Sequence, residues 1–391
     1  MEKQKNIPQL RFPDCNGEWE KKRLRDIIER IVNPVDIRPN EYYHEIGIRS
    51  HGKGLFYKEK IEGRLLGNKR VFWIKEGALI LNIVFAWEQA VSKTTSKEKG
   101  MIASHRFPMY LSKGRNADVD YLLHFFLTNK GKTLLELASP GGAGRNKTLG
   151  QVEFLKLRFS LPTLPEQQKI ASFFTAIDQK ISQLKQKKNL LEQYKKGVMQ
   201  KIFSQEIRFK DDIGQEFPKW EMKMLGRLVK INKGEQLNKI ELTDTGNYPC
   251  LNGGILPSGY TDKYNSEADT ITVSEGGNSC GFVNYMRHRF WCGGHCYTIK
   301  GFDSNQLNNV YLFQLLKYNE SEIMRLRVGS GLPNIQKKDI LCLQLVFAKS
   351  YNEQTKIANF LSAIDEKINY TQKQIEKAET WKKGLLQQMF V

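Results

Sequence analysis

The chain has 391 residues, 40% of them hydrophobic and 26% charged, which is too long for one comfortable core and too apolar for wholesale disorder. Two domains are the expectation. Sixty-one Lys plus Arg against 42 Asp plus Glu leave a net charge of +19, a balance that asks for a polyanionic partner, nucleic acid or an acidic membrane surface.

In chain order, Met1 is followed by Glu2, Lys3, Gln4 and Lys5 with no apolar run behind them, so no signal peptide is expected. Six scattered cysteines in such a chain fit reduced thiols in a cytoplasm. A first head, residues 1–160, shows strand-like runs "RVFWI" (70–74) and "ALILNIVF" (78–85). The longest apolar stretch, "ALILNIVFAWEQAV" (78–91), is broken by Asn82, Glu88 and Gln89 and falls short of the ~20 apolar residues of a membrane helix. One short helix, "YLLHFFL" (121–127), precedes a glycine-rich turn, "GGAGRN" (141–146). A long helix follows over 161–204. A second head, 205–350, opens with "IRFKDDIGQEFPKWEMKML" (207–225), which echoes "LRFPDCNGEWEKKRL" (10–24). It carries the strand-like "TITVS" (270–274) and "CYTIK" (296–300), a short helix "YLFQLLK" (311–317) and the turn "GSGLPN" (329–334). A second long helix fills 351–391.

The long helices are copies. Residues 166–204 align without gaps on 353–391, with 17 of 39 positions identical. The first copy opens "EQQKIASFFTAIDQKI" and the second "EQTKIANFLSAIDEKI". Ile170, Ile177, Leu184, Leu191 and Val198 recur every seven residues, with Phe174 and Ile181 four residues after members of that series. The second copy repeats the stripe with Ile357, Leu361, Ile364, Ile368, Ile375 and Leu385, interrupted by Thr371. A stripe of this period on a helix of roughly 58 Å wants a helical partner. The other copy in the same chain is the simplest one, paired antiparallel with the heads at opposite ends. The fold class is therefore α+β: two globular heads joined by two long helices in an antiparallel intramolecular coiled coil, a pseudo-two-fold repeat. Most of the positive excess, +11, lies in residues 1–165; the first long helix adds +5, the second head +2 and the last helix +1.

No segment carries a complete catalytic signature. "CGGHC" (292–296) offers Cys292, His295 and Cys296, with Cys280 and His288 as further candidates, but lacks the second ligand pair of a structural zinc site; buried thiols around a tight turn are the preferred reading. "GKT" (131–133) has Phe126 where a phosphate loop needs glycine, and the segment reads as a helix end. "GGAG" (141–144) follows a helix rather than a strand, so it is no dinucleotide fingerprint. The six histidines do not cluster with carboxylates. No catalytic residue and no metal ligand is assigned. The polar and basic turns remain. Arg49, Lys53, Lys113, Arg115, Arg145, Asn146 and Lys147 in the first head are the candidate DNA contacts, with Asn252, Tyr260, Lys263, Asn278, Arg287, Arg289 and Asn334 in the second, because Arg and Lys reach guanine edges and phosphates and Asn pairs with adenine.

The Glu-Gln-x-Lys-Ile-Ala opening, the Ala-Ile-Asp-x-Lys-Ile core and the "YKKG"/"WKKG" exit, each present twice, resemble the specificity subunit of Type I restriction–modification systems. "GFVNYMRHRFWCGGHCYTI" (281–299) looks like part of a target recognition domain of that family. The resemblance covers the whole chain. It implies that each head reads one half of a bipartite, gapped, asymmetric site in double-stranded DNA, while the paired helices set the gap and dock two modification (methyltransferase) subunits. It implies S-adenosylmethionine in those partners, ATP and Mg in a restriction (motor-nuclease) subunit, and no cofactor in this chain. Two other readings stay open: a coiled-coil scaffold or DNA-binding protein without sequence preference, and a self-contained DNA-modifying enzyme, which would need a cofactor pocket or metal cluster.

Overall fold

The computed structural model describes residues 6–141, 147–301, 303–329 and 331–391. The chain folds as two units. One comprises Met1–Lys185 with Lys373–Val391, the other Gln186–Gln372. Each unit contains a head and one stretch of each long helix, Leu164–Phe203 and Tyr351–Gln388.

The heads share a frame. In the first, a four-stranded antiparallel sheet runs in the order Ile28–Ile31, Met109–Ser112, Leu79–Leu81, Val91–Lys93. In the second, Val229–Lys233, Cys296–Gly301, Thr270–Ser274 and Val283–Met286 repeat that order. A two-stranded ribbon closes each head: Glu20–Arg23 against Arg158–Leu161, and Glu221–Met224 against Gln344–Phe347. Short helices cover the sheets, Val119–Phe126 and Asn129–Leu137 in the first head, Asn309–Tyr318 and Glu320–Arg325 in the second. Among the described residues, two helices thus follow directly on the last frame strand of each head in chain order, Val119–Phe126 with Asn129–Leu137 and Asn309–Tyr318 with Glu320–Arg325, where the sequence suggested one. The segment 131–133 lies in the opening turns of Asn129–Leu137 rather than at a helix end, because Thr128 caps that helix through the Gly131 amide. Gly131 is required by close approach: a Cβ there would stand 2.1 Å from the Phe125 carbonyl oxygen.

The distal layers differ. Beyond the first frame lies a second four-stranded sheet, Leu55–Glu62, Tyr42–Ile48, Ile102–Ser104, Val71–Trp73. Its pairing shifts register between His44 and Ile46, a bulge at Glu45. Beyond the second frame is a three-stranded sheet of Gly259–Thr261, Tyr248–Leu251 and Trp291–Cys292. Strand alternation shows what each frame faces. Leu79 and Leu81 point into the helix-side core, while Ile80 joins a distal core with Ile46 and Ile48. In the second head Ile271 and Val273 enter the helix-side core, but Thr272 and Ser274 face the distal side, whose core is only Leu251, Phe290, Cys292 and Cys296 with Met286 packed on it. The apolar run 78–85 is strand only over Leu79–Leu81; the Asn82 side chain then accepts from the Val84 amide (3.1 Å) and turns the chain out of the sheet.

Within each unit the long helices pair antiparallel. In the first unit Lys382 binds Asp178 (2.6 Å) and Lys185 binds Glu379 (2.6 Å); in the second, Lys195 binds Asp365 (2.7 Å). Asp178 and Asp365 are the same repeat position, as are Lys195 and Lys382, so one ion pair is built twice. Ile170, Phe174, Ile177, Ile181, Leu184, Ile357, Leu361, Ile364, Ile375 and Leu385 are buried. Leu191, Val198 and Ile368 are half-buried. Thr371 is buried and returns its hydroxyl to the Lys367 carbonyl (2.8 Å), which satisfies a polar group inside the stripe.

Candidate nucleic-acid interface

The duplicated helix opening anchors head to helix. Glu166, buried, takes the Arg11 guanidinium through two hydrogen bonds (2.7 and 2.8 Å), and Glu353, also buried, takes Arg208 through three (2.9–3.1 Å). Hydrogen bonding to Glu166 holds Arg11 above the usual arginine pKa. Gln167 accepts from the Asp118 amide (2.9 Å) and donates to the Pro162 carbonyl (2.9 Å). Gln354 does the same with Asn308 (2.8 Å) and Ala348 (2.9 Å). Asp118 and Asn308 are themselves N-caps of the first short helices, accepting from Tyr121 and Tyr311. Lys169 and Lys356 reach Asp14 and Asp212. The Glu-Gln-x-Lys pattern therefore encodes a clamp, and Arg11, Arg208, Asp118 and Asn308 are partners that sequence spacing does not reveal.

One step along the same helices the repeats diverge. His124 in the first head is buried against Phe174 (5.2 Å between rings), and its Nδ1 has no hydrogen-bond partner among the described residues. Burial, with Lys382 and Lys93 nearby, pushes its pKa down to about 3. The second head has Gln314 there, which donates to Asp365 (2.8 Å).

At the other side of each frame three connections meet through the same backbone bonds. In the first head the Leu149 amide donates to the Ile83 carbonyl (2.8 Å), and the Ile83 amide to the Arg106 carbonyl (3.0 Å). In the second, Ile335 donates to Glu275 (2.9 Å) and Glu275 to His295 (2.9 Å). The hairpin connection of the frame, the segment at Leu149 or Ile335 and the connection entering strand Met109–Ser112 or Cys296–Gly301 thus meet in both heads. Such connections on a rigid frame are the setting in which binding residues sit.

The sequence candidates fall into several groups. Asn252, Asn278 and Asn334 gather at the second junction: Asn252 Oδ1 accepts from the His295 amide (3.2 Å), Gly276 bridges to Asn334, and Asn278 lies on the same connection. Tyr260, Lys263 and Arg289 lie along the distal sheet, Lys263 paired with Glu241 (3.1 Å) and Arg289 with Glu267 (2.9 Å) over the Tyr264 ring. Arg287 lines a cavity beside the second long helix with Ser362, Glu366 and Asn369. In the first head Lys147 sits over the Trp87 ring (5.4 Å) on the hairpin connection. Arg49 and Lys53 occupy the turn whose His51 amide and Ser50 hydroxyl bond to Glu88 on that connection. Lys113 and Arg115 precede the N-cap of Val119–Phe126, at the opposite end of that helix from Leu127, which the Arg49–Lys53 turn approaches at Gly52. Arg145 and Asn146 lie outside the described residues.

Two residues that sequence reasoning missed stand at these junctions. Glu45, turned inward by the bulge, holds Lys58 (2.8 Å) in a cavity of about 350 Å³. Glu275 holds Lys233 (2.7 Å) and accepts from the Tyr297 hydroxyl (2.8 Å); burial and that carboxylate raise the tyrosine's pKa. A lone glutamate in a strand-like run has no spacing to mark it.

Cys292 and Cys296 are buried with Cys250, and the Cys292 thiol donates to the Cys296 carbonyl (3.4 Å). The neighbouring Cys296 and burial raise the Cys292 thiol's pKa. Among the described residues no group of three or more His, Cys, Asp or Glu is placed to hold a metal ion.

A repeated α+β head on a repeated helix, with paired polar junctions, defines a duplicated modular subunit. The family model described as "Type I restriction modification DNA specificity domain" matches residues 16–193 and again 218–380, and the chain belongs to that family. A protein of Mycoplasma genitalium named as a type I specificity subunit is 36% identical over 149 residues, 38% of this chain and 39% of the relative. The match thus spans about two-fifths of that relative's length. A Methanocaldococcus jannaschii protein named as the MjaX type I restriction enzyme specificity subunit is 25% identical over 98% of this chain and 95% of its own. Among solved structures, the S subunit of a type I restriction–modification system from M. genitalium superposes with a TM-score of 0.67 at 16% identity, covering 98% of this chain and 99% of that one, so the fold is shared.

Proposed function

We propose that this chain is the DNA-reading subunit of a Type I restriction–modification complex. Each head, 1–160 and 205–350, is a target recognition domain that reads one half of a bipartite, gapped, asymmetric site, and the helix pair fixes the gap. The chain is non-catalytic; methyl transfer from S-adenosylmethionine belongs to two modification subunits, and ATP- and Mg-dependent cleavage to restriction subunits. A cytoplasmic place follows from that role, and among the described residues no helix is long and apolar enough to cross a membrane.

The observation that carries this reading is the pair of identical clamps and frames holding unlike distal layers. A scaffold without sequence preference has no use for two different loop sets on one frame. Docking has its own support. Tyr194 and Trp381, equivalent in the repeat, are each 54% exposed on the long helices. Three residues on, a Cβ at Gly197 or Gly384 would meet no atom of the described residues outside its own helix backbone. Mid-helix glycine costs about 1 kcal/mol against alanine, and no contact among the described residues calls for it, so the twice-built aromatic–glycine face suits the close approach of a partner's backbone.

The test is to co-express this chain with the modification subunit of its own system and map methylated bases in host DNA. A single gapped bipartite motif that vanishes when this chain is omitted is the expected result. Methylation indifferent to its omission would overturn the reading.

A further inference from the structure

The two junctions carry an unused constellation. Each places a buried glutamate, held on one side by lysine, next to a basic residue of the connection entering the frame strand. In the first head the glutamate is Glu45, 5% exposed, with Lys58 at 2.8 Å and Lys69 at 3.8 Å, and Asn82, His105 and Arg106 line the same cavity. In the second it is Glu275, 4% exposed. Its Oε1 accepts from Lys233 and Tyr297, while its Oε2, itself buried, has no hydrogen-bond partner among the described residues and lies 4.0 Å from Nδ1 of the exposed His295. Asn334 Oδ1, at the same junction, is also buried without a hydrogen-bond partner among the described residues. The glutamates come from different places in the fold: the position of Glu275 in the first head is Ile83, and Glu45 arrives instead from the distal sheet through its bulge. One constellation has been assembled twice by different routes.

A buried carboxylate is an odd component for a DNA-binding head. It repels phosphates and so weakens sequence-independent binding. It gains discrimination, because an ionised carboxylate only accepts hydrogen bonds. It welcomes the exocyclic amino group of cytosine or adenine and rejects the keto oxygen of guanine or thymine. The lysine orients the carboxylate through one oxygen and leaves the other, as at the buried Glu275 Oε2, without a hydrogen-bond donor among the described residues.

Resting on the proposed function above, we propose that Glu45 and Glu275 are specificity-determining residues, each accepting a hydrogen bond from the amino group of one base in its own half-site. The flanking Lys58 and Lys233 are positioning residues.

Glu45→Gln and Glu275→Gln, made separately in the full chain and co-expressed with the modification subunit, test this by methylation mapping and by methylation rates on sites substituted one position at a time. An amide keeps the acceptor for lysine but adds a donor, so it tolerates a keto base. Each variant should relax one position of one half-site by roughly tenfold or more and leave the other half-site and the gap unchanged. Discrimination unchanged at every position, or an equal loss on all sequences, would overturn the proposal. Thermal unfolding checks each variant, and because the residues lie in separate units a variant that fails to fold leaves the other to carry the test; unfolding of both would assign the carboxylates a structural role and also overturn it. A parent chain that gives no bipartite motif would instead defeat the functional reading itself.

Discussion

The first head and the second agree in what holds them and differ in what they present. Clamp, ribbon, frame order and three-way junction are the same in both, down to the Arg–Glu pairs Arg11–Glu166 and Arg208–Glu353. The distal layers are four strands on an apolar core against three strands on a polar face. The lesson is that attachment tolerates little variation because its groups are buried and charged, while the outer layer varies as long as its edge of the frame is covered.

The largest test of that shared attachment is to break the clamp. Glu166→Ala leaves the half-buried Arg11 guanidinium with only the Asn16 and Gly17 carbonyls, and Glu353→Ala leaves Arg208 with those of Phe217 and Pro218. Each should cost about 1.5–3 kcal/mol, measured by denaturant unfolding of the full chain. Costs that differ by several kcal/mol between the two would break the equivalence of the halves.

The next test uses the site where the repeats diverge. His124 is held neutral by burial, whereas the unfolded side chain protonates near pH ~6.5. Because the folded pKa is depressed, the unfolded state binds the extra proton. Stability is full above that pH and falls as pH drops toward the folded value, by about 1.4 kcal/mol per pH unit. His124→Gln, which copies the second head, should remove this part of the acid sensitivity in unfolding curves at pH 4 to 7. An unchanged profile would show that the first head's acid response lies elsewhere.

Smaller effects sharpen the packing. Gly131→Ala forces a methyl against the Phe125 carbonyl and should cost about 1–3 kcal/mol in thermal unfolding. Gly197→Ala and Gly384→Ala meet nothing. Each should stabilise the isolated chain by about 1 kcal/mol and, if the aromatic–glycine face docks a partner, weaken binding of the modification subunit in a titration.

The sequence was most informative where physics is local. Seven-residue spacing exposes the long helices, because a helix face is set by residues four apart. The second short helix of each head and the turn at Asn82 escaped notice because caps and side-chain turns depend on single residues inside apolar runs. The partners of Glu166 and Gln167 were illegible, since Arg11 and Asp118 are joined to them only by the fold. The same holds for Glu45, whose inward aim comes from a bulge, and for Glu275, whose neighbours Lys233 and His295 arrive from distant strands. Polar turns do announce themselves, but spacing could not separate Asn252, Asn278 and Asn334, which the fold gathers at one junction, from Lys113, Arg115 and Arg287, which it puts elsewhere.

The central claim is that the frame is common and each head reads independently. Its most direct test is a chain carrying the second head twice, with 205–350 in place of 1–160, co-expressed with the modification subunit and analysed by methylation mapping. The account predicts a gapped site whose two halves carry the same bases, both matching one half-site of the parent. Two unlike half-sites, or retention of the parent's full motif, would contradict it.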